Sequence, residues 1–338
     1  MDLNIIWFLL VGILIIGYAI LDGFDLGVGI IHLFTKDEND KKINLNAIGP
    51  VWDGNEVWLL TGGGALFAAF PIVYATVFSG FYIAFMLLLA ALIFRAVSFE
   101  FRKYSEAKDK KYWDLAFGLG SLVPALLYGV AIGNILRGLR IDAKGAYHGT
   151  FLGLLNPYAL VVGAISLSMF VMHGAIYMTL KSEGKLQEKM VRVANNSWIV
   201  FVLLYFISTI MTIFAGKWLF ESLLGFPIFW VLLVLLFATI IYIPIGLKTG
   251  KFGNTFTASA LMIATMILLM ALSLFPKLVP SSIDLSYSLT IYNASSTPRT
   301  LETMLIIALI GVPIVIGYTI WIYRIFKGKV VIDKDSYL

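Results

Sequence analysis

Two pairs of acidic residues stand where an apolar chain has least use for them. The stretch GPVWDGNEVWLLTGGGALFAAFP (49 to 71) carries Asp53 and Glu56 at the mouth of an apolar run, and AILDGFDLGVGI (19 to 30) carries Asp22 and Asp25 inside one. Each pair is spaced i, i+3, which places both carboxylates on one face of a helix. A third stretch, FRAVSFEFR (94 to 102), adds Arg95, Glu100 and Arg102. The chemistry that carboxylates in such surroundings could do is the uptake and release of protons. An ionisable side chain inside a membrane usually faces a bundle interior or a water-filled cavity, pairs with another charge, and marks a proton or ion path. The plainer alternative is interfacial: acids that reach head groups, or that sit at a helix N-terminus where the backbone dipole favours negative charge. Arg95 is open to the same two readings, a counter-ion that keeps a neighbouring acid charged or a member of a proton relay.

The elements that must position these groups are apolar helices. The chain has 338 residues, 60% hydrophobic and 13% charged, with mean hydropathy +0.90; soluble domains have about 25% charged residues. Crossing a hydrocarbon core of about 30 Å takes roughly 20 helical residues. Nine stretches meet or approach that length: 5 to 31, 51 to 70, 74 to 96, 115 to 135, 154 to 180, 197 to 216, 226 to 246, 256 to 275 and 302 to 326. Barrel strands would alternate apolar and polar residues, and runs such as FMLLLAALIF do not. The expected class is an all-α integral membrane protein forming a single polytopic domain over 1–338, since no Pro/Ser/Gly-rich linker divides it. The uninterrupted apolar part of the second stretch, from Val57 to Phe70, spans only about 21 Å at 1.5 Å per residue. Its helix must therefore begin near Val51, with Asp53 and Glu56 just inside one end.

Basic residues mark the cytoplasmic side of a membrane chain. Nineteen of the 25 Lys and Arg residues, Lys334 among them, fall on the side reached after odd-numbered spans; Arg137, Arg140, Lys144, Lys217, Lys277 and Arg299 fall on the other. The N-terminus is thus expected outside and the C-terminus in the cytoplasm, so the acids of the first three spans all approach the cytoplasmic level. In this setting the net charge of +5 reflects topology and not binding to nucleic acid. The first residues, MDLNIIWFLL, lack the basic stretch and cleavage site of a signal peptide, so the first span is read as retained. The longest outer loop, 276 to 300, is nearly uncharged and is expected to pack on something.

Redox and metal chemistry have few ligands to draw on. The sequence contains no cysteine, which excludes disulfides, iron–sulfur clusters and thiolate metal sites, and three histidines, His32, His148 and His173. His32 and His173 fall near inner span ends and His148 in an outer loop, so no two pair at one depth as haem ligands; no metal site is expected. The eleven methionines read as packing. DLGVGI lacks the strand of a dinucleotide loop, Gly62, Gly63 and Gly64 lack the Lys-Ser/Thr of a phosphate loop, and close helix packing in lipid is the better account of both.

The strings LDGFDLGVG (21 to 29), GPVWDGNEVWLLTGGGALFAAFP, FSGFYIAFMLLLAALIFRAVSFEFR (78 to 102) and FPKLVPSS followed by SLTIYNASS (275 to 296) resemble subunit II of cytochrome bd-type quinol:oxygen oxidases. The resemblance implies two four-helix bundles plus a peripheral helix, in a multi-pass protein of the bacterial plasma membrane. It implies a similarly folded partner, subunit I, that holds haems b and d and oxidises quinol to reduce dioxygen to water, and in some members a small accessory subunit. This chain would bind no catalytic cofactor and would offer a cytoplasmic proton route, with a path for oxygen or a structural quinone in some members. The family's proton-path aspartates map to Asp53 and Asp25. Glu56 and Asp22 are expected to assist, and Arg95 with Glu100 to form supporting ion pairs. The loop at about 217 to 225 is shorter than in some relatives. The rival reading, a proton-coupled secondary transporter, would place its acids at the midplane of repeated halves; here they cluster at one end and no repeat is apparent.

The basic asymmetry sets a first test. A reporter active only in the cytoplasm should work when fused after Leu338 and fail when fused after Lys277, and the reverse pattern would invert the topology.

Overall fold

The structure, a computed structural model, describes residues 2–332; Lys334 lies outside the described residues. The chain is helical almost throughout: α1 (Leu3–Leu33), α2 (Glu38–Ile48), α3 (Trp52–Ala69), α4 (Pro71–Gly80), α5 (Tyr82–Tyr104), α6 (Lys110–Arg137), α7 (Phe151–Leu154), α8 (Pro157–Lys181), α9 (Gly184–Ala215), α10 (Lys217–Leu224), α11 (Ile228–Lys248), α12 (Phe252–Leu274) and α13 (Pro298–Ile325). Two short strands, β1 (Lys277–Val279) and β2 (Leu289–Thr290), pair antiparallel in the outer loop.

Helix starts follow local chemistry. Asp2 accepts a hydrogen bond from the Asn4 amide to cap α1, and Asp37 accepts one from the Asp40 amide to cap α2. Asn156 and Thr297 cap α8 and α13 in the same way, each followed by a proline at the first helical position, where its fixed φ fits and its missing N–H costs nothing.

Among the described residues, eight helices are long and apolar enough to cross a membrane: α1, α5, α6, α8, α9, α11, α12 and α13. The ninth expected span, 51 to 70, is α3, a helix of 18 residues. It falls short of that hydropathy because Asp53, Asn55, Glu56 and its glycines occupy so much of its length. The stretch expected at 74 to 96 is divided at Phe81 between α4 and α5. The helix α2, in the inner loop, was not expected.

Helices α1, α3, α5 and α6 form one four-helix group: α1 packs on α3 and α6, and α5 packs on α6. Helices α8, α9, α11 and α12 form the second, joined to the first where α8 packs on α1 and α6. Helix α13 is peripheral, touching α1 and α3, and Leu301 is its one buried residue.

Small residues permit the central contacts. A side chain at Gly27 would overlap the Phe170 carbonyl, and one at Gly174 would lie 2.7 Å from the Gly27 carbonyl carbon, so α1 and α8 meet backbone to backbone. On α6, Gly120 lets the helix approach within 2.7 Å of where a Cβ would meet the Ala91 carbonyl oxygen on α5. The expectation for Gly62, Gly63 and Gly64 needs correcting, because Gly63 and Gly64 have no neighbour within 4 Å of a built Cβ, and Gly62 has only Leu14 at 3.7 Å. Gly63 and Gly64 lie towards the open side of α3, while Gly62 is buried.

The outer loop packs as expected. The Leu139 amide donates to the Pro280 carbonyl at 2.9 Å, the Ser282 amide to the Leu139 carbonyl at 2.8 Å, and the Ser296 amide to the Ala69 carbonyl at 2.8 Å. Together with buried Trp7, Phe70, Ile141, Val279 and Ile291 these bonds close the outer end of the first group.

Because the α1–α8 contact leaves no room for a methyl group, Gly27→Ala should cost about 1–3 kcal/mol by overpacking and lower the thermal midpoint of the protein purified from membranes. Gly12→Ala, at a site with nothing within 4 Å, should leave that midpoint unchanged or slightly raised.

Candidate functional site

The stripe Asp22, Asp25, Gly29, His32 runs down one side of α1, and its polar members meet partners on three other helices, α3, α5 and α6. Asp22 and Arg95 are fully buried. Arg95 Nη2 donates to Asp22 Oδ1 at 2.7 Å and Nη1 to Asp22 Oδ2 at 3.1 Å, a two-pronged pair between α5 and α1. Nη1 also lies 3.7 Å from Glu56 Oε2 on α3, and the guanidinium sits 5.7 Å from the centre of the Trp52 ring. Asp25, one turn nearer the inner end, is fully buried too. Its Oδ2 accepts from Asn55 Nδ2 at 2.7 Å, while its Oδ1 has no hydrogen-bond partner among the described residues. One guanidinium therefore faces three carboxyl groups, Asp22, Asp25 and Glu56. The cluster thus holds fewer positive charges than acids.

Asp53 and Glu100 stand apart. Asp53 lies in the first turn of α3, exposed, its Oδ1 accepting from the Gly54 amide at 2.7 Å. Glu100 is exposed and makes no ion pair among the described residues, so the expected pairing of Arg95 with Glu100 is corrected to Arg95 with Asp22. Five residues along a helix turn a side chain roughly 140° away, which sends Glu100 outward when Arg95 points in.

A second cluster, which the sequence reading did not find, lies at the inner ends of α1, α5 and α6. Asp114 on α6 accepts from Arg102 Nε at 2.5 Å and from Lys41 Nζ at 2.6 Å, and its Oδ1 lies 2.7 Å from His32 Nε2. Arg102 Nη2 also donates to Glu38 Oε1 at 2.7 Å. Arg102 was named from the sequence without a partner, and Asp114 stands one residue before the expected start of its span. Asn55 was visible only as a letter inside WDGNEVW. Nothing in the order of residues links it to Tyr323, whose hydroxyl donates to Asn55 Oδ1 at 3.0 Å.

The histidines do not fit a haem. His173 has Nδ1 at 2.7 Å from Ser259 Oγ and Nε2 at 3.1 Å from the Ile20 carbonyl oxygen, and His32 Nε2 is held by Asp114. His148 lies in the outer loop with Nε2 at 2.8 Å from Asp142 Oδ2. That contact, with the backbone amides of Ala146 and Lys144, holds the Asp142 carboxyl down at about 2. A lowered carboxylate stabilises the fold above its ordinary value near 3.9 and loses that effect only as pH falls towards 2, so the Asp142 carboxyl stays ionised at neutral pH. Among the described residues no group of three or more His, Cys, Asp or Glu side chains is arranged to hold a metal ion.

Two apolar cavities flank the cluster. One of about 690 Å3 lies between α1, α3, α4 and α5, with Trp58, Gly62, Gly63 and Gly64 on its wall. The other, of about 260 Å3, lies among α6, α8, α9 and α12. Tyr128 lines both.

A family model described as cytochrome bd terminal oxidase subunit II matches residues 3–326. Cytochrome bd-I ubiquinol oxidase subunit 2 of Escherichia coli (strain K12) is 36% identical, over 97% of this chain and 95% of its own length. Probable cytochrome oxidase subunit 2 of Haemophilus influenzae is 39% identical, over 99% and 98%. A chain in the structure of bd oxidase from Geobacillus thermodenitrificans superposes with a TM-score of 0.81 over 96% of this chain and 99% of that one, at 19% identity, and so shares the fold.

Removing one member of a buried ion pair strands the other and costs about 3–5 kcal/mol. Arg95→Leu should therefore abolish accumulation of folded protein in membranes, and Arg95→Leu with Asp22→Leu should recover a large part of it. Glu100→Gln, exposed and unpaired, should stay within about 0.5 kcal/mol of the parent in thermal denaturation.

Proposed function

The chain belongs to the cytochrome bd terminal oxidase subunit II family, and from that membership we propose that it serves the oxidase by carrying protons from the cytoplasmic side towards subunit I. It is the non-haem subunit of a quinol oxidase, a multi-pass protein of the bacterial plasma membrane, and it acts in a complex with the haem-bearing subunit. Family membership sets aside the transporter reading. The haems b and d of subunit I supply the electron transfer from quinol to dioxygen.

The observation that carries the proton reading is Asp25: a fully buried carboxyl in an apolar helix, with one oxygen held by Asn55 and the other free. A carboxylate serving only structure would be expected to have both oxygens satisfied. In this reading Asp53 and Asp25 take up protons at the inner end of the first helix group. Glu56 and Asp22, deeper along α3 and α1, assist, and Arg95 holds the set in place.

Exposure of Asp53 on this chain supports a route along the subunit interface. A charged group facing lipid costs up to about 2.5–3.5 kcal/mol at mid-membrane, and Asp53 shares the open side of α3 with Gly63 and Gly64, which have empty space above them. A glycine-rich face accepts close approach by another helix, so subunit I is the natural cover for it. The structural quinone is supported by one feature: the buried Tyr128 hydroxyl has no hydrogen-bond partner among the described residues and lines the 260 Å3 cavity, where it offers a donor to a quinone carbonyl.

Neutral substitutions test the proton role, because they keep shape and remove the titrating group. Asp25→Asn and Asp53→Asn should each assemble with normal haem content yet lose most quinol oxidase turnover, and Asp53→Glu should retain part of it. Full turnover of both Asn variants at normal haem content overturns the route; failure to assemble assigns the acids to structure.

A further inference from the structure

Helix α13 is the element with least to hold it. Its apolar length is exposed and only Leu301, at its outer end, is buried, yet its inner end is tied down by a concentrated set of polar contacts. Tyr323 donates to Asn55 Oδ1 at 3.0 Å and stands edge-on to Phe24 with ring centres 6.5 Å apart. Beyond it the chain is strapped to the inner end of α8. Lys181 Nζ donates to the Phe326 carbonyl, the Val330 amide to the Lys181 carbonyl at 2.9 Å, and Lys329 Nζ to the Thr179 and Ser182 carbonyls at 3.0 and 2.7 Å. These contacts bring one hydroxyl of a peripheral helix to the residue that holds Asp25.

We propose that Tyr323 is a positioning residue for Asp25: by anchoring Asn55 Oδ1 it keeps the amide N–H2 turned to Asp25 Oδ2 and so confines proton exchange to Asp25 Oδ1. This rests on the proton-route reading of Asp25 given above. An amide can present either end to a neighbour, and what decides is the set of groups around it. Here the nitrogen faces two acceptors, Asp25 Oδ2 at 2.7 Å and the Leu21 carbonyl at 3.3 Å, and the oxygen faces the one donor, Tyr323.

With the N–H2 aimed at Oδ2, a proton on that oxygen would make it a hydroxyl, a poorer acceptor for the amide than a carbonyl oxygen, so protonation is favoured on the other oxygen. Oδ1, which has no partner, is the atom left to accept one. The proton arrives on Oδ1 from the cytoplasmic side and leaves from the same atom. Asn55 and Tyr323 keep their own hydrogens and no other bond forms or breaks. The other ionisable groups near this site are Asp22 from α1, Glu56 from α3, Arg95 from α5 and Tyr177 from α8; none of them contacts the Asn55 oxygen.

Without the Tyr323 hydroxyl the amide can turn over once Asp25 is protonated, its oxygen then accepting from a proton on Oδ2. The acid is trapped neutral and releases its proton slowly. Loss of one such anchoring bond should slow turnover roughly tenfold.

The test is made on the assembled oxidase purified from membranes, with Tyr323→Phe compared to Tyr318→Phe on the exposed part of the same helix. Expected for Tyr323→Phe are normal haem content, an unchanged quinol KM and a turnover lowered roughly tenfold. The carbonyl stretch of protonated Asp25 is identified in infrared difference spectra as the band missing from Asp25→Asn. It should move to higher frequency in Tyr323→Phe, because the carbonyl oxygen becomes the unbonded Oδ1. Tyr318→Phe should change neither readout. Unchanged turnover and an unmoved band in Tyr323→Phe overturn the positioning role, and loss of haem or assembly overturns it in favour of simple docking. Full turnover by Asp25→Asn is a separate outcome, which removes the proton-route reading itself.

Discussion

A guanidinium buried among apolar helices cannot be left alone. Its desolvation is recovered only by a well-aligned counter-charge and further hydrogen bonds, and in this chain Asp22 supplies both prongs of the match to Arg95. That pair determines how α1 and α5 face each other. Gly120 then lets α6 settle against the Arg95 backbone, and Gly27 and Gly174 let α8 close on the other side of α1. The carboxyl groups that remain, Asp25 and Glu56, stand around a charge already committed to Asp22. The proton-exchange role proposed for them rests on that imbalance.

The two ends of the first helix group are closed by different physics. At the inner end Asp114 gathers Arg102, Lys41 and His32 from three other elements, a charged seal where water and head groups are near. At the outer end the closure is made of backbone hydrogen bonds between the 139–148 and 276–297 loops over buried Trp7, Phe70 and Ile291. A buried charge cluster thus closes one end, and backbone hydrogen bonds over an apolar core close the other.

The site is also incomplete within one chain. Asp53, Gly63 and Gly64 lie towards the open side of α3, and Gly63 and Gly64 line the 690 Å3 cavity. An open polar face in a membrane protein is costly unless a neighbour covers it, which is why the family's pairing with a haem-bearing subunit belongs to the description of the site and not only to its setting. Helix α13, by contrast, reaches the acids from behind, through Tyr323 and Asn55.

By itself the sequence determined the class, and it set the expectations for topology and for the level of the chemistry. Those depend on one-dimensional quantities: the length of apolar runs, the side on which lysines and arginines fall, and the i, i+3 spacing that puts Asp22 with Asp25 and Asp53 with Glu56 on single helix faces. The strings around those acids were long enough to resemble one family. Only the tertiary structure decided the partners. Arg95 chose Asp22, 73 positions away, over Glu100 five positions along its own helix, because a helix turns neighbours apart while packing brings distant helices to contact. Asp114, Asn55 and Tyr323 passed unnoticed for the same reason: each carries an ordinary polar side chain, and its role depends on a contact made across 12 to 268 positions of chain. Which acids are buried in pairs and which face outward is a property of packing in three dimensions, and no spacing along the chain encodes it.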